Sequence, residues 1–405
     1  MEIAVIGGGA SGILAAITAA RNGAKVTIYE RCDRIGRKIL ATGNGRCNYT
    51  NVNAGVGNYH GKNPEFINDA INNFWTIETN SFFAELGMLT KVEENGKAFP
   101  YSLQASAVLD VLRYELERLC VNIVTEFEVE NIIKEKNRFS IKSYSGMKAY
   151  ADKVILSTGG KASPSLGSNG SGYQIAQSFG HKLSKLYPSL VQIKTETDLI
   201  KSLKGIKLDA NVLLEAKNKK SIYFGEVLFT DYGLSGPAIF NVSRLCADNI
   251  DASVTLDILP EIDNEELYEI LKSRRTEYRN LETFFVGMIN KKVGMVIMKY
   301  AKVLPFSRTS DTISDDEIKR LCDALKGFKL KVTGTMSWNN AQVTAGGILT
   351  DDINSLTMES RLCEGLYLTG EILDIDGDCG GYNLQWAWSS GYIAGLNASK
   401  ERENA

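Results

Sequence analysis

The sequence predicts an α/β fold in which a Rossmann-like nucleotide-binding domain is assembled from both ends of the chain around an inserted, mainly β segment. Three observations predict it. Residues 2–12 run from an apolar strand through a glycine-rich turn into a small-residue helix, a second strand leading into glycines and acids recurs near residue 370, and beyond about residue 188 the pattern turns alternating and β-branched.

In chain order, Ile3 to Ile6 read as a buried strand. Gly7, Gly9 and Gly12 form the turn, and Ala10 and Ser11 open a helix reaching Asn22, whose positive end faces a bound pyrophosphate. Ala15, Ala16, Ala19 and Ala20 keep that helix thin. Lys25 to Tyr29 give a second strand ending on Glu30, a carboxylate placed to accept hydrogen bonds from an adenosine ribose, with Arg31 beside it. A GxGxxG pattern is common by itself; strand, turn, helix, strand and acid in register are not. The loop Gly36 to Asn51 has Gly36, Gly43 and Gly45 to wrap a ligand, and Arg37 and Lys38 to meet a diphosphate or an adenine edge. A hairpin-like region follows from Ile123 to Tyr144, then a strand from Val154 ending in Thr158, Gly159 and Gly160.

A boundary is expected at Tyr187-Pro188. Leu208, Ala210, Val212 and Leu214, and Ile222 to Phe229, suit an antiparallel sheet or barrel, and Pro237 starts a helix over Ala238 to Ala247. Asp263 with Glu266 and Ser314 with Glu317 are capping boxes that open helices, and Ile318, Leu321, Cys322 and Leu325 share one helical face. Strand character returns from Phe328 to Val343. The chain then rejoins the first domain near Thr344 and runs through the strand Leu366 to Leu368 into Gly370, Glu371, Asp374, Asp376, Asp378 and the helical stretch Trp386 to Asn397.

A ligand that needs glycine-rich loops from both ends of the chain is long, and FAD, bound without a covalent link, fits that requirement. Glu371 or Asp374 would bind its ribitol chain. Gly381, Tyr382, Asn383 and Leu384 would form a helix N-terminus facing the flavin pyrimidine, where reduction places negative charge. Asn44, Gly45, Arg46, Cys47 and Asn48 complete the flavin loop.

On the segments Gly7 to Gly12, Gly36 to Asn51, Phe229 to Pro237, Thr344 to Ile348 and Gly370 to Leu384, the chain resembles the BaiN-like flavoproteins, a group that includes bile-acid-pathway reductases and relatives of aminoacetone oxidase. The resemblance covers nearly the whole length. It implies an oxidoreductase with an FAD domain over 1–187 and 344–405, a β-barrel over 188–260 and 327–343, and a helical insertion over 261–326. It also implies that Val129 offers backbone contacts to adenine. It leaves the substrate open, because the family's reactions differ.

Composition sets limits. At 405 residues with 44% apolar side chains, two or three domains are expected, and a net charge of −2 from 46 basic and 48 acidic side chains excludes a globally basic nucleic-acid binder. Seven cysteines without a CxxC motif read as reduced thiols, the first strand starts too early for a signal peptide, and no apolar run reaches bilayer length, so a cytoplasmic protein with no membrane association is expected; the oligomeric state is left open. Asp374, Asp376 and Asp378 alternate as calcium ligands do, but no closing glutamate follows and no metal is expected. His181 reads as a helix C-terminal residue favoured by the dipole, and His60 as a solvated loop residue, with reach to the active site as the alternative. Cys47 and Cys379 read as small half-buried side chains in the flavin loops.

No second GxGxxG follows a strand, and Gly167 to Gly172 read as a loop near the FAD. Electrons would therefore come from a small-molecule substrate, oxidised or reduced at a C=C or C–N bond over flavin N5, or from NAD(P)H bound transiently at the same face. The alternative is uridine reduction in ribosomal RNA, which the resemblance permits and the window 267–308 supports locally, with nine Lys or Arg against three Glu.

Overall fold

The structure, a computed structural model, describes residues 1–246 and 251–401. The chain divides into two compact units, Met1–Tyr187 with Gln342–Ala405, and Pro188–Ala341. Each has its own apolar core.

The first unit is built on a five-stranded parallel sheet. In chain order its strands are β1 (Glu2–Ile6), β2 (Lys25–Tyr29), β3 (Asn122–Val124), β4 (Lys153–Leu156) and β5 (Leu366–Leu368), and across the sheet the order is β5-β4-β1-β2-β3. The central strand carries Ile3, Ala4, Val5 and Ile6, all buried, as a parallel strand covered on both faces requires. Helix α1 (Ala10–Arg21) is buried from Ser11 to Ala19, because the long C-terminal helix α2 (Tyr382–Ala398) lies against it. The contact depends on missing side chains. A Cβ on Gly391 would strike the Ser11 carbonyl and one on Gly395 the Ala15 carbonyl, while a Cβ on Gly12 would strike the Gly7 carbonyl at the end of β1. Small residues at these positions let the last helix and the first helix stack above the sheet.

Two readings of local structure are corrected here. Ile123 does not begin a hairpin: Asn122–Val124 is the edge of the parallel sheet, Glu126 at φ 55° breaks the chain, and the hairpin pairs Val129–Glu135 with Arg138–Ser143. The strand from Phe328 ends at Thr335, where a turn closed by Asn340 N–H on the Ser337 carbonyl replaces the expected continuation to Val343.

The second unit contains a closed six-stranded barrel of Ile193–Thr195, Gly233–Ser235, Lys219–Phe229, Lys207–Ala216, Ala252–Asp257 and Phe328–Thr335, in that order around the ring. Ala210, Val212 and Leu214 point inward in strict alternation. Pro237 stands at the first position of a helix that runs only to Ser243 before tightening over Arg244–Cys246; Ala247, where it was expected to end, lies outside the described residues. Helices Asn264–Arg274, Lys291–Tyr300 and Asp315–Lys326 follow, the first capped by Asp263 and the last by the reciprocal Ser314–Glu317 box. No described helix is long and apolar enough to cross a membrane.

Candidate functional site

The turn after β1 is fixed by its neighbours. The Ser157 hydroxyl donates to the Ile6 and Gly7 carbonyls at 2.9 Å each, and Gly8 N–H donates to Glu30 Oε2 at 2.8 Å. The other Glu30 oxygen accepts Cys32 N–H at 2.8 Å, so this buried carboxylate ties the turn to the end of β2. Gly9 caps α1 without a capping side chain, and a Cβ placed on it would meet nothing within 4 Å. The α1 N-terminus thus has no capping side chain and has room beside Gly9, as a diphosphate there would need. Arg31 reaches the Gly167 carbonyl at 3.4 Å and Glu128 at 3.3 Å, and Arg37 reaches the Ser165 carbonyl at 3.0 Å and Asp33 at 3.3 Å. The Pro164–Leu166 turn is thus held near Glu30 by two of the expected cationic residues. Val129, also expected at the adenine end, is buried at the start of its strand, beside a bulge.

Lys38 and Glu371 meet each other. Their ion pair spans 2.7 Å, and the other Glu371 oxygen accepts Thr344 N–H at 2.8 Å. The Thr344 hydroxyl in turn accepts Lys161 N–H at 2.7 Å and Ala162 N–H at 3.0 Å. Gly160 sits inside this network, with Glu371 Oε1 only 2.9 Å from where its Cβ would be. Lys38 thus joins the early loop to the late one.

In the loop expected to meet the flavin, Gly43, Asn44, Gly45 and Cys47 all have positive φ. Asn44, Gly45 and Arg46 are exposed, with Arg46 paired to Glu93 at 3.4 Å and lying over the Phe99 ring at 4.6 Å. Cys47 is buried, and loss of water pushes its thiol up to about 12, an unreactive state. Asn48 is the notable member: its Oδ1 is buried without a hydrogen-bond partner and lies 2.9 Å from the Cβ position of Gly381. Gly381, at φ 98°, caps α2, again without a capping side chain.

Around that second helix end, Asn383 donates to and accepts from the Gly377 backbone at 2.8 Å each, and the Tyr382 carbonyl accepts the Tyr59 hydroxyl at 2.9 Å. Asn383 thus clamps the preceding loop with the amide expected to face a flavin, while Leu384 beside it is half-buried. Gly370, at φ 71°, packs on Ser11, and Asp374 accepts Lys62 N–H at 3.2 Å. Among the described residues no three His, Cys, Asp or Glu side chains converge as a metal site would require.

Buried without a partner as well are Thr158 Oγ1 after β4 and Thr369 Oγ1 after β5. Buried polar atoms are nearly always satisfied. Together with Asn48 Oδ1, the two uncapped helix ends and the buried acid, they fit a long ligand with a ribose toward one end, a diphosphate in the middle and a polar ring at the other end. FAD has that form.

Sequence reasoning missed several residues. Ser157 and Thr344 bind backbone groups that a sequence does not pair. His60 is not merely solvated: its Nε2 lies 2.8 Å from Asp378 Oδ1, and its backbone pairs with Asp376. His181 is corrected as well. It is buried, its Nε2 bonds Ser360 at 2.8 Å, and burial pushes it below the usual imidazole range, so it sits neutral instead of as a charge on a helix end.

In the second unit, most cations of the window 267–308 have partners. Arg308 holds Glu317 at 2.8 Å, Arg275 holds Asp315 at 2.7 Å, Arg279 holds Glu277 at 2.6 Å and Lys291 holds Glu282 at 2.6 Å. Over the whole stretch 261–326 the sequence has twelve basic and twelve acidic side chains. The local positive excess is therefore offset by acids just beyond the window, Asp315 and Glu317 among them.

A family profile described as HI0933-like protein Rossmann domain matches residues 1–397. The chain is 41% identical to a 3-dehydro-bile acid delta(4,6)-reductase of Clostridium scindens, over 98% of this chain and 99% of that one. It is 34% identical to a ribosomal RNA dihydrouridine synthase of Haemophilus influenzae, over 99% of each. Among solved structures, a 3-ketosteroid-delta4-(5alpha)-dehydrogenase of Rhodococcus jostii shares the fold with a TM-score of 0.52 at 15% identity, over 99% of this chain and 97% of that one.

Proposed function

The chain belongs to the HI0933-like Rossmann family and is an FAD-dependent oxidoreductase; from that premise we propose that it reduces a carbon–carbon double bond conjugated to a carbonyl in a small apolar substrate. The observation that carries this reading is end-to-end identity of 41% with a reductase of that chemistry. The bound cofactor would supply two-electron hydride transfer. The chain's own residues would hold the diphosphate at the Gly9 end of α1, the ribose near Glu30, and the flavin between Asn48 and the Gly381 end of α2. The positive end of α2 would stabilise charge gathered on the flavin ring by reduction. NAD(P)H bound transiently at the same face would be the electron donor.

A second reading is supported by the relative named for ribosomal RNA. The C5–C6 bond of uridine is also conjugated to a carbonyl, so the chemistry at the flavin would be shared and only the partner would differ. The balanced charge of segment 261–326 favours the small molecule. Anaerobic stopped-flow separates the readings. The protein is reduced with NADH or NADPH and then mixed with air, a 3-oxo-4,6-diene bile acid or ribosomal RNA. Fastest reoxidation by the bile acid supports the proposal; fastest reoxidation by RNA replaces it with the second reading, and by air alone with an oxidase.

A further inference from the structure

Asp378 lies three positions before the cap of α2, in the loop whose backbone Asn383 clamps. Its side chain is only 9% exposed, while that of its partner His60 is 33% exposed. Exposed ion pairs are commonly incidental; a histidine open on one side and fixed to a buried carboxylate on the other is arranged to exchange protons. The arrangement is built by long-range contacts. Tyr59–His60 pairs antiparallel with Asp376–Gly377, Asp378 N–H donates to the Asn58 carbonyl at 2.9 Å, and the Asn58 amide reaches the second Asp378 oxygen at 3.4 Å. Gly61, at φ 149°, lets the chain pass so close to the Asp374 carbonyl that a Cβ would not fit.

We infer that His60 is the proton donor to the α-carbon of the substrate double bond, with Asp378 as its positioning residue; the inference rests on the reduction proposed above. The Asp378 carboxylate only accepts, so Nε2–H of His60 stays on it in both charge states of the ring; the imidazolium carries its second proton on Nδ1, and Nδ1 is the nitrogen that releases and recovers it. A hydride equivalent, bearing both electrons, forms the new C–H bond at the β-carbon. The π pair shifts toward the carbonyl oxygen and returns to bond the α-carbon to the proton from Nδ1, and the neutral imidazole is reprotonated by water. The reducing equivalents come from a dihydronicotinamide-class donor through the bound flavin. Lys62, Lys97, Asp374, Asp376, Tyr59, Tyr382 and Cys379 are other titratable groups around the pair. Burial pushes Tyr59, Tyr382 and Cys379 upward, leaving them protonated near neutrality.

The test uses FAD-loaded wild type, His60→Gln and Asp378→Asn. Both variants should retain FAD and accept electrons from dithionite at the wild-type rate. Reoxidation by the 3-oxo-4,6-diene bile acid should slow by about 100-fold or more in His60→Gln, and imidazole should restore part of the rate in His60→Ala. Because the chain has two histidines, the imidazole C2–H resonance missing in His60→Gln identifies His60. In wild type that resonance should move on flavin reduction and in Asp378→Asn, while that of His181 stays in place. Normal reoxidation in both variants, or a His60 resonance indifferent to flavin reduction, overturns the inference. If wild type itself is not reoxidised by the bile acid, the substrate reading falls, and the resonance still decides whether His60 senses the flavin.

Discussion

Glu30 binds two backbone N–H groups of its own chain, Gly8 and Cys32, before any ligand arrives. Its removal should therefore act twice, through the ribose contact proposed for it and through the diphosphate turn it holds. Glu30→Ala loses a charge-assisted hydrogen bond of about 1.5–3 kcal/mol to the ribose and loosens the phosphate turn, so FAD affinity should fall roughly ten- to a hundredfold or more and FMN affinity, which feels only the turn, by clearly less. Fluorescence titration of the apoprotein with each flavin measures this, and an equal loss for both would move the adenosine elsewhere. Titration gives a second residue-scale expectation. The Arg308 guanidinium beside Glu317 holds that carboxyl down at about 2, well below its ordinary 4.5. A depressed folded value means stability that is fully present above about pH 4.5 and lost as pH falls toward 2. The Tm gap between wild type and Glu317→Gln should be widest near neutrality and close across that window.

At the scale of elements, helix α1 and helix α2 approach through Gly391 and Gly395, and Gly391→Val should force them apart. Overpacking of this kind costs about 1–3 kcal/mol, and lowered thermal stability with loss of bound flavin would be the signature. The elements around these helices were legible from sequence to different degrees. The unit β1, α1, β2 could be read nearly residue by residue, because turn glycines, helix alanines and the terminal acid are local signals. The capped starts at Asp263 and Ser314 were legible for the same reason. The Ile123 region was misread because an exposed edge strand of a parallel sheet and a hairpin strand carry the same short pattern. The Lys38–Glu371 pair and the His60–Asp378 pair join residues more than 300 positions apart, and nothing local announces such partners. Asn383 could be found, but its engagement with the Gly377 backbone could not.

Over the whole molecule, the question is which partner approaches the flavin. If the helices from Leu267 to Arg308 hold RNA, reversing Lys291, Lys292 and Lys299 to glutamate should abolish binding and flatten the salt dependence of affinity by several log–log units, with FAD content unchanged. The internal pairing of the insert points the other way, to wild-type protein with no salt-dependent affinity for ribosomal RNA in a filter-binding titration. The cofactor itself gives a coarser check: the purified protein should be yellow, and acid or heat should release intact FAD.

Division of the cofactor unit between Met1–Tyr187 and Gln342–Ala405 sets an order of assembly during synthesis. While β5 and α2 are still untranslated, β4 has an unpaired edge and the small-residue face of α1 is bare. On the ribosome β4 waits more than 200 residues of elongation for β5, and α1 more than 350 for α2. With the cofactor held as proposed above, flavin capture follows synthesis of Tyr382, and chains stopped short of it should hold no FAD while exposing an unpaired sheet edge.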